Sequence, residues 1–134
     1  MKISENQYKK YFGFSNVVKG NKYHNKKTTL FDMKFDSIKE KNRYILLDEL
    51  KKKKIITELK LQQKFIIQES FVDNTGKTQR PIYYIADFYY YDTRMKCYVA
   101  EDVKSKATRE DKVYRIKKKI FLHEYPNIIF KEIV

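Results

Sequence analysis

Residues 81–91, PIYYIADFYYY, form an almost unbroken aromatic and β-branched run with a single carboxylate, Asp87, inside it. A run of this kind, bounded by Pro81 and by turn residues at Asp92 and Thr93, predicts a central strand. A carboxylate in such a strand is expensive to bury without a metal, a cation or strong donors beside it. Any fold that accepts this segment must therefore bring a compensating group to Asp87.

The next strand-like segment, residues 95–104 (MKCYVAEDVK), supplies one. Residues at i and i+2 on a strand share a face, so Asp102 and Lys104 point the same way, while Glu101 faces the other side and is a reserve candidate. If the two strands pair antiparallel through the short turn, Asp87 and Asp102 converge on one divalent ion. Mg²⁺ suits such a set, because it takes hard oxygen ligands and usually keeps several waters. A metal held this way polarises a phosphodiester and acidifies an attacking water. Lys104 would orient or help deprotonate that water and offset developing negative charge. By spacing alone, D-x-K reads equally as a salt bridge within a strand.

The rest of the chain frames these strands. Residues 1–26 read as a basic N-terminal arm whose Tyr8, Tyr11, Phe12 and Phe14 are free to dock, and residues 27–35 (KTTLFDMKF) as a short hairpin or irregular strand pair. Asp36 and Ser37 are cap residues for a helix over residues 38–52, with Tyr44, Ile45, Leu47 and Leu50 at helical spacing. A strand is expected over 59–68 and a turn over 72–80 at Asn74 and Gly76. A second helix is expected over 109–123, with Val113, Ile116, Ile120 and Phe121 on one stripe, stopped before Pro126; 128–134 is a last strand. The order is helix, three strands, helix, strand, in one α/β domain over residues 27–134.

Charge bears on the partner. The chain of 134 residues carries 30 Lys and Arg against 17 Asp and Glu, a net charge of +13, which favours a polyanion: nucleic acid first, a negatively charged membrane surface second. Coding bias in an AT-rich genome also raises lysine, so charge alone names no partner. Cys97 is the only cysteine, which suits a reducing cytoplasm, and neither a signal peptide nor an apolar run of membrane-spanning length is expected. Three scattered glycines leave no phosphate-cradling loop, so no nucleotide cofactor is expected, and His24 and His123 are too isolated for a zinc site.

Five segments carry a resemblance: FDSIKEKNRY (35–44), LQQKF (61–65), YIADF (84–88), EDVK (101–104) and YRIKKKIF (114–121). In this order the chain resembles the PD-(D/E)xK nuclease superfamily over residues 22–134, most closely a phage and prophage branch built on a domain of unknown function. The resemblance implies a restriction-endonuclease-like core of order α-β-β-β-α-β, with a mixed central sheet flanked by helices. It also implies cleavage of DNA with Mg²⁺, for which Mn²⁺ would substitute. Asp87 matches the first motif carboxylate, and Asp102 and Lys104 match (D/E)xK. Ala86 stands where the motif has its proline, and neither that change nor the shorter Asp102 removes a ligand.

Glu40 matches the first-helix carboxylate that such nucleases often use as a further metal ligand. Ser37-Ile38-Lys39-Glu40 is also a capping box, which accounts for Glu40 without a metal. Lys117 and Lys118 on the second helix are candidates for DNA binding, and Lys117 is read both as a contact to the scissile phosphate and as a snorkelling lysine beside Arg115, Lys118 and Lys119. Lys26 and Lys27 suit a phosphate-tracking arm, and Gln62 is a weak candidate. Compact members of the superfamily include Holliday-junction resolvases, so branched DNA and a symmetric homodimer are expected by analogy. Cleavage of duplex in phage replication or packaging, and non-catalytic nucleic-acid binding, are the alternatives.

Overall fold

The computed structural model describes residues 37–134, together with the strands at 28–30 and 33–35. The expected basic arm, with Lys26 and Lys27, lies outside the described residues. The main sheet has four strands in the order β3-β6-β7-β8, with β3 at Ile56–Gln68, β6 at Ile82–Asp92, β7 at Cys97–Val103 and β8 at Ile129–Ile133. Residues 93–96 alone join β6 to β7, far too few for the crossover that a parallel pair needs, so these strands run antiparallel. β7 and β8 run parallel, with Glu101 opposite Lys131 and Asp102 opposite Glu132. The protein is thus mixed α/β with a mixed sheet, and the run expected to be central is an interior strand.

The chain divides into two compact units, Met1–Lys60 with Tyr90–Lys96, and Leu61–Tyr89 with Cys97–Val134. In the first, β1 (Thr28–Leu30) pairs antiparallel with β2 (Met33–Phe35), as the alternating sequence predicts. Helix α1 (Ile38–Lys52) packs against both strands. Ser37, in extended conformation, accepts the Glu40 N–H at 3.1 Å and starts the helix. Lys51 and Lys52 end it, where cations meet the negative end of the helix dipole. Glu40, Tyr44 and Leu47 are buried at +4 and +7 spacing, whereas Ile45 lies one step round the helix and is 42% exposed. Asp92, fully buried, organises the β6–β7 turn through the N–H groups of Arg94 (2.8 Å) and Met95 (3.2 Å) and the Arg94 guanidinium (3.0 Å). The guanidinium leads in holding that carboxyl below the usual range against the opposing effect of burial.

In the second unit two short elements extend the expected order. β4 (Phe71–Val72) and β5 (Thr78–Gln79) form a small antiparallel hairpin around Gly76, which has φ +82°. Asp73 closes that turn by accepting from Thr75 Oγ1 (2.5 Å), Gln79 Nε2 (2.8 Å) and two backbone N–H groups, which pulls its pKa down to about 2. Helix α2 (Lys106–Arg109) is one turn with a Ser105–Thr108 capping box. The long helix α3 (Lys112–Glu124) begins only after Asp111, whose carboxylate caps Val113 N–H at 2.9 Å.

The core of this unit joins Phe65, Ile67, Tyr84, Ala86 and Ala100 of the sheet to Tyr114 and Phe121 of α3. Of the expected stripe on α3, Phe121 is fully buried and Ile120 packs against the core, but Val113 and Ile116 are both 60% exposed and Tyr114 takes the inner position instead. The helix can bury Tyr114 because its hydroxyl has a partner there, Glu132 at 2.5 Å. Tyr89 also packs on this cluster, its ring 5.2 Å from Phe65. Strict alternation would place Tyr89 on the face opposite Tyr84 and Ala86. Strand β6 thus changes face between Ala86 and Tyr89, the interval that holds Asp87.

Phe121 is fully buried between the rings of Phe65 and Tyr125, at 5.0 and 5.2 Å. Phe121→Ala is expected to cost about 3–5 kcal/mol, read as a lower urea midpoint, while Val113→Ala changes stability little.

Candidate active site

The site grows from a carboxylate that the sheet buries. Asp102 lies on β7 with 2% exposure, and its Oδ2 accepts the Tyr84 hydroxyl from the neighbouring strand β6. Its Oδ1 lies 3.0 Å from Lys104 Nζ, two residues along on the same face, in an ion pair. Burial, then the Asp102 charge and its hydrogen bond, push the Tyr84 pKa far above the ordinary tyrosine value, so Tyr84 stays a neutral donor.

Asp87 is placed at the point where β6 changes face. Its Oδ2 accepts the backbone N–H of Val103 at 2.8 Å, next along the chain from Asp102, and its Oδ1 accepts Gln62 Nε2 at 3.1 Å. Gln62 has φ +51°, left-handed backbone inside strand β3 that a non-glycine residue adopts only at a cost. The charges of both Asp102 and Asp87 bear on the Tyr84 and Tyr114 hydroxyls, so the two carboxylates share one neighbourhood.

A third acid completes the polar network. The Lys104 ammonium lies 4.6 Å from the centre of the Tyr114 ring, a cation–π contact. Tyr114 donates to Glu132 Oε2, and the same oxygen takes Lys118 Nζ at 3.0 Å while Arg109 Nε stands 3.8 Å from Oε1. Burial works against the charged Glu132, but Tyr114, Lys118 and Arg109 outweigh it and hold its pKa below the usual glutamate value. Burial, followed by the Glu132 hydrogen bond, raises Tyr114 well above the ordinary tyrosine value.

Of the residues expected from sequence, Asp87, Asp102 and Lys104 come together in the second unit, joined by Gln62. Glu101 is fully buried and, by alternation, turns to the other face of β7. Glu40 belongs to the first unit, where it is 5% exposed and follows the Ser37 cap. On α3, Lys118 holds Glu132, while Lys117 is half-buried. Tyr84, Tyr114 and Glu132 were not anticipated. Tyr84 stood inside an aromatic run, Tyr114 lay off the expected stripe of its helix, and Glu132 stood in a terminal strand with no motif around it. The one available signal was the placing of Glu132 in a strand that could lie beside the D-x-K strand.

The donor set suits a hard divalent cation. The buried Asp102 carboxylate and Asp87, whose charges act on the same tyrosine hydroxyls, supply hard oxygen atoms of the kind that Mg²⁺ or Mn²⁺ takes. Among the described residues no group of three or more His, Cys, Asp or Glu could hold a metal ion. Asp87 and Asp102 would hold the ion with water and substrate oxygens filling the other positions, which is the usual habit of Mg²⁺.

The model of the family described as "Protein of unknown function (DUF1064)" matches residues 20–134, and the chain belongs to that family. No curated protein and no solved structure matches the chain. Among the described residues no helix is long and apolar enough to cross a membrane.

Two outcomes are expected of this geometry. Mn²⁺ or Mg²⁺ raises the thermal midpoint of the wild-type chain by mass action, and Asp102→Asn abolishes the rise; an equal rise in both chains would remove Asp102 from the metal site. Because the folded-state pKa of Glu132 is depressed, its stabilising contribution is complete above the ordinary glutamate range and is lost as pH falls through the folded value. Glu132→Gln should therefore flatten the acid limb of stability, measured as urea midpoints between neutral and acid pH.

Proposed function

We propose that this protein is a metal-dependent DNA endonuclease, with a restriction-endonuclease-like core and an active site formed by Asp87, Asp102 and Lys104. The observation that carries the reading is the buried Asp102 carboxylate, held by Tyr84 and paired with Lys104 at 3.0 Å, with the Asp87 charge acting on the same Tyr84 and Tyr114 hydroxyls. The cost of desolvating a buried ion pair makes stability alone a weak reason for placing one here. The net charge of +13 supports a polyanionic substrate.

Each residue has a task in phosphodiester hydrolysis, in which water oxygen bonds to phosphorus and the bond from phosphorus to the leaving alkoxide breaks. Mg²⁺, held by Asp87 and Asp102, would supply Lewis acidity and an acidified water. Tyr84 and the Val103 N–H fix the two carboxylates in orientation, and Gln62 holds the remaining Asp87 oxygen. Lys104 is close enough to the carboxylates to hydrogen-bond an attacking water and offset negative charge growing on the phosphoryl oxygens. The Tyr114 ring keeps its ammonium from swinging away. The catalytic proposal rests on residues of the second unit; Glu40 is not needed for it. A four-way junction is the branched substrate proposed by analogy with compact resolvases, which would act as homodimers.

The test uses labelled duplex, single-stranded DNA and four-way junction with the wild type, Asp87→Asn and Lys104→Ala, in Mg²⁺ and in EDTA. Cleavage should require metal and fall by at least about 10²-fold in either variant, the scale seen when a charge-stabilising group is lost. No metal-dependent cleavage of any substrate would refute the enzyme, unchanged cutting by both variants would refute the site, and equal cutting of duplex and junction would refute only the branched preference.

A further inference from the structure

The second unit has a cleft of about 480 Å³ lined by residues of α3 and by Glu132, among them Tyr114, whose ring also meets Lys104. Four cations line it, Arg109, Arg115, Lys118 and Lys119, against two carboxylates, Glu110 and Glu132. Arg115, Lys118 and Lys119 are spaced +3 and +4 along α3, so they stand on one helix face. Each carboxylate takes up part of that charge: Glu132 holds Lys118 at 3.0 Å with Arg109 at 3.8 Å, and Glu110 lies 3.7 Å from Arg115. Lys119 stands in no ion pair among the described residues. The cleft therefore keeps a positive surplus around an oxyanion that the protein itself supplies.

We infer that this cleft binds a backbone phosphate of the nucleic-acid substrate, and that Glu132 is the internal counter-anion with which that phosphate competes. The inference rests on the endonuclease reading for the identity of the ligand. Cations already converging on one carboxylate have the geometry to take phosphate oxygens, and two arginines add paired N–H donors that fit them. Continuity favours a polymer over a free anion. Tyr114 touches Lys104 on one side and Glu132 on the other, and Glu132 lies in register with Asp102. A strand whose scissile phosphate meets Lys104 would carry its neighbouring phosphates past α3. Glu132 then has a regulatory cost and a structural benefit: it keeps Lys118 and Arg109 ordered but neutralises part of their attraction for DNA.

The signs of the mutational effects separate this arrangement from a merely solvated basic helix. Duplex binding is measured in EDTA by fluorescence anisotropy as a function of salt, using the full chain. Arg115→Ala/Lys119→Ala, at two exposed positions, should weaken binding and reduce the slope of log Kobs against log salt by about 1 per cation removed. Glu132→Gln should tighten binding by more than the charge-matched control Glu124→Gln, whose carboxylate is exposed and pairs with His123. An unchanged affinity and slope in the double variant overturns the cleft, as does equality of a folded Glu132→Gln chain with its control. If Glu132→Gln does not fold, the double variant decides alone. Displacement of duplex by inorganic phosphate at matched ionic strength, lost in the double variant, would reassign the cleft to free phosphate and overturn the backbone assignment. A wild type that binds but never cuts refutes the endonuclease and leaves the cleft standing; a wild type that cuts while the double variant binds normally does the reverse.

Discussion

The second unit depends on a negative charge enclosed in its sheet. Asp102 is almost wholly removed from water, and an isolated ionised carboxylate there would not be tolerated. Its neighbours answer that constraint in order: Tyr84 gives one oxygen a hydrogen bond, Lys104 brings a positive charge to the other, and the Tyr114 ring steadies Lys104. Tyr114 in turn needs a partner for its buried hydroxyl and finds Glu132, which gathers Lys118 and Arg109. One buried charge thus propagates outward from β7 through α3 and β8 to the basic surface.

The backbone carries a matching irregularity. Asp87 sits where β6 changes face, and its hydrogen-bond partner Gln62 sits at a left-handed position in β3. Two regular strands would send these polar side chains to whichever face alternation dictated, with no reason for them to meet. The departure from regular strand geometry lets a polar pair form inside an apolar sheet, while Tyr84 and Ala86 on one side of it and Tyr89 on the other keep contact with the same core. Backbone strain of this kind is found where structure around it over-determines the conformation, and functional sites are its usual setting.

The cations of the second unit differ in how far they are committed to an acid. Lys104 is half withdrawn from solvent and committed to Asp102, whereas Arg115 and Lys119 are exposed along α3. Lys118 stands between these roles, its ammonium on Glu132 and over the Phe130 ring at 5.2 Å. Under the proposed function, the open cations would attract a polyanion from a distance and the paired ones would meet it at the site.

The sequence by itself determined what local chemistry and periodicity can specify. The aromatic run around Asp87 had to be an interior strand, the Ser37 cap and the Tyr44–Leu47 spacing set the first helix, and the i, i+2 rule put Asp102 and Lys104 on one face. These follow from steric and burial preferences within a few residues. Only the tertiary structure decided which stripe of α3 is buried, that Gln62 meets Asp87, and that Glu132 lies beside Asp102. Val113 and Ile116 looked as apolar as any core residue, and Glu132 sat in no motif, because each outcome turns on a partner far along the chain: the acceptor for the Tyr114 hydroxyl, the strand opposite Gln62, the parallel neighbour of β7. Pairing at that distance is fixed by how the whole sheet and helix satisfy their buried polar groups together, a condition that no local stretch of sequence contains.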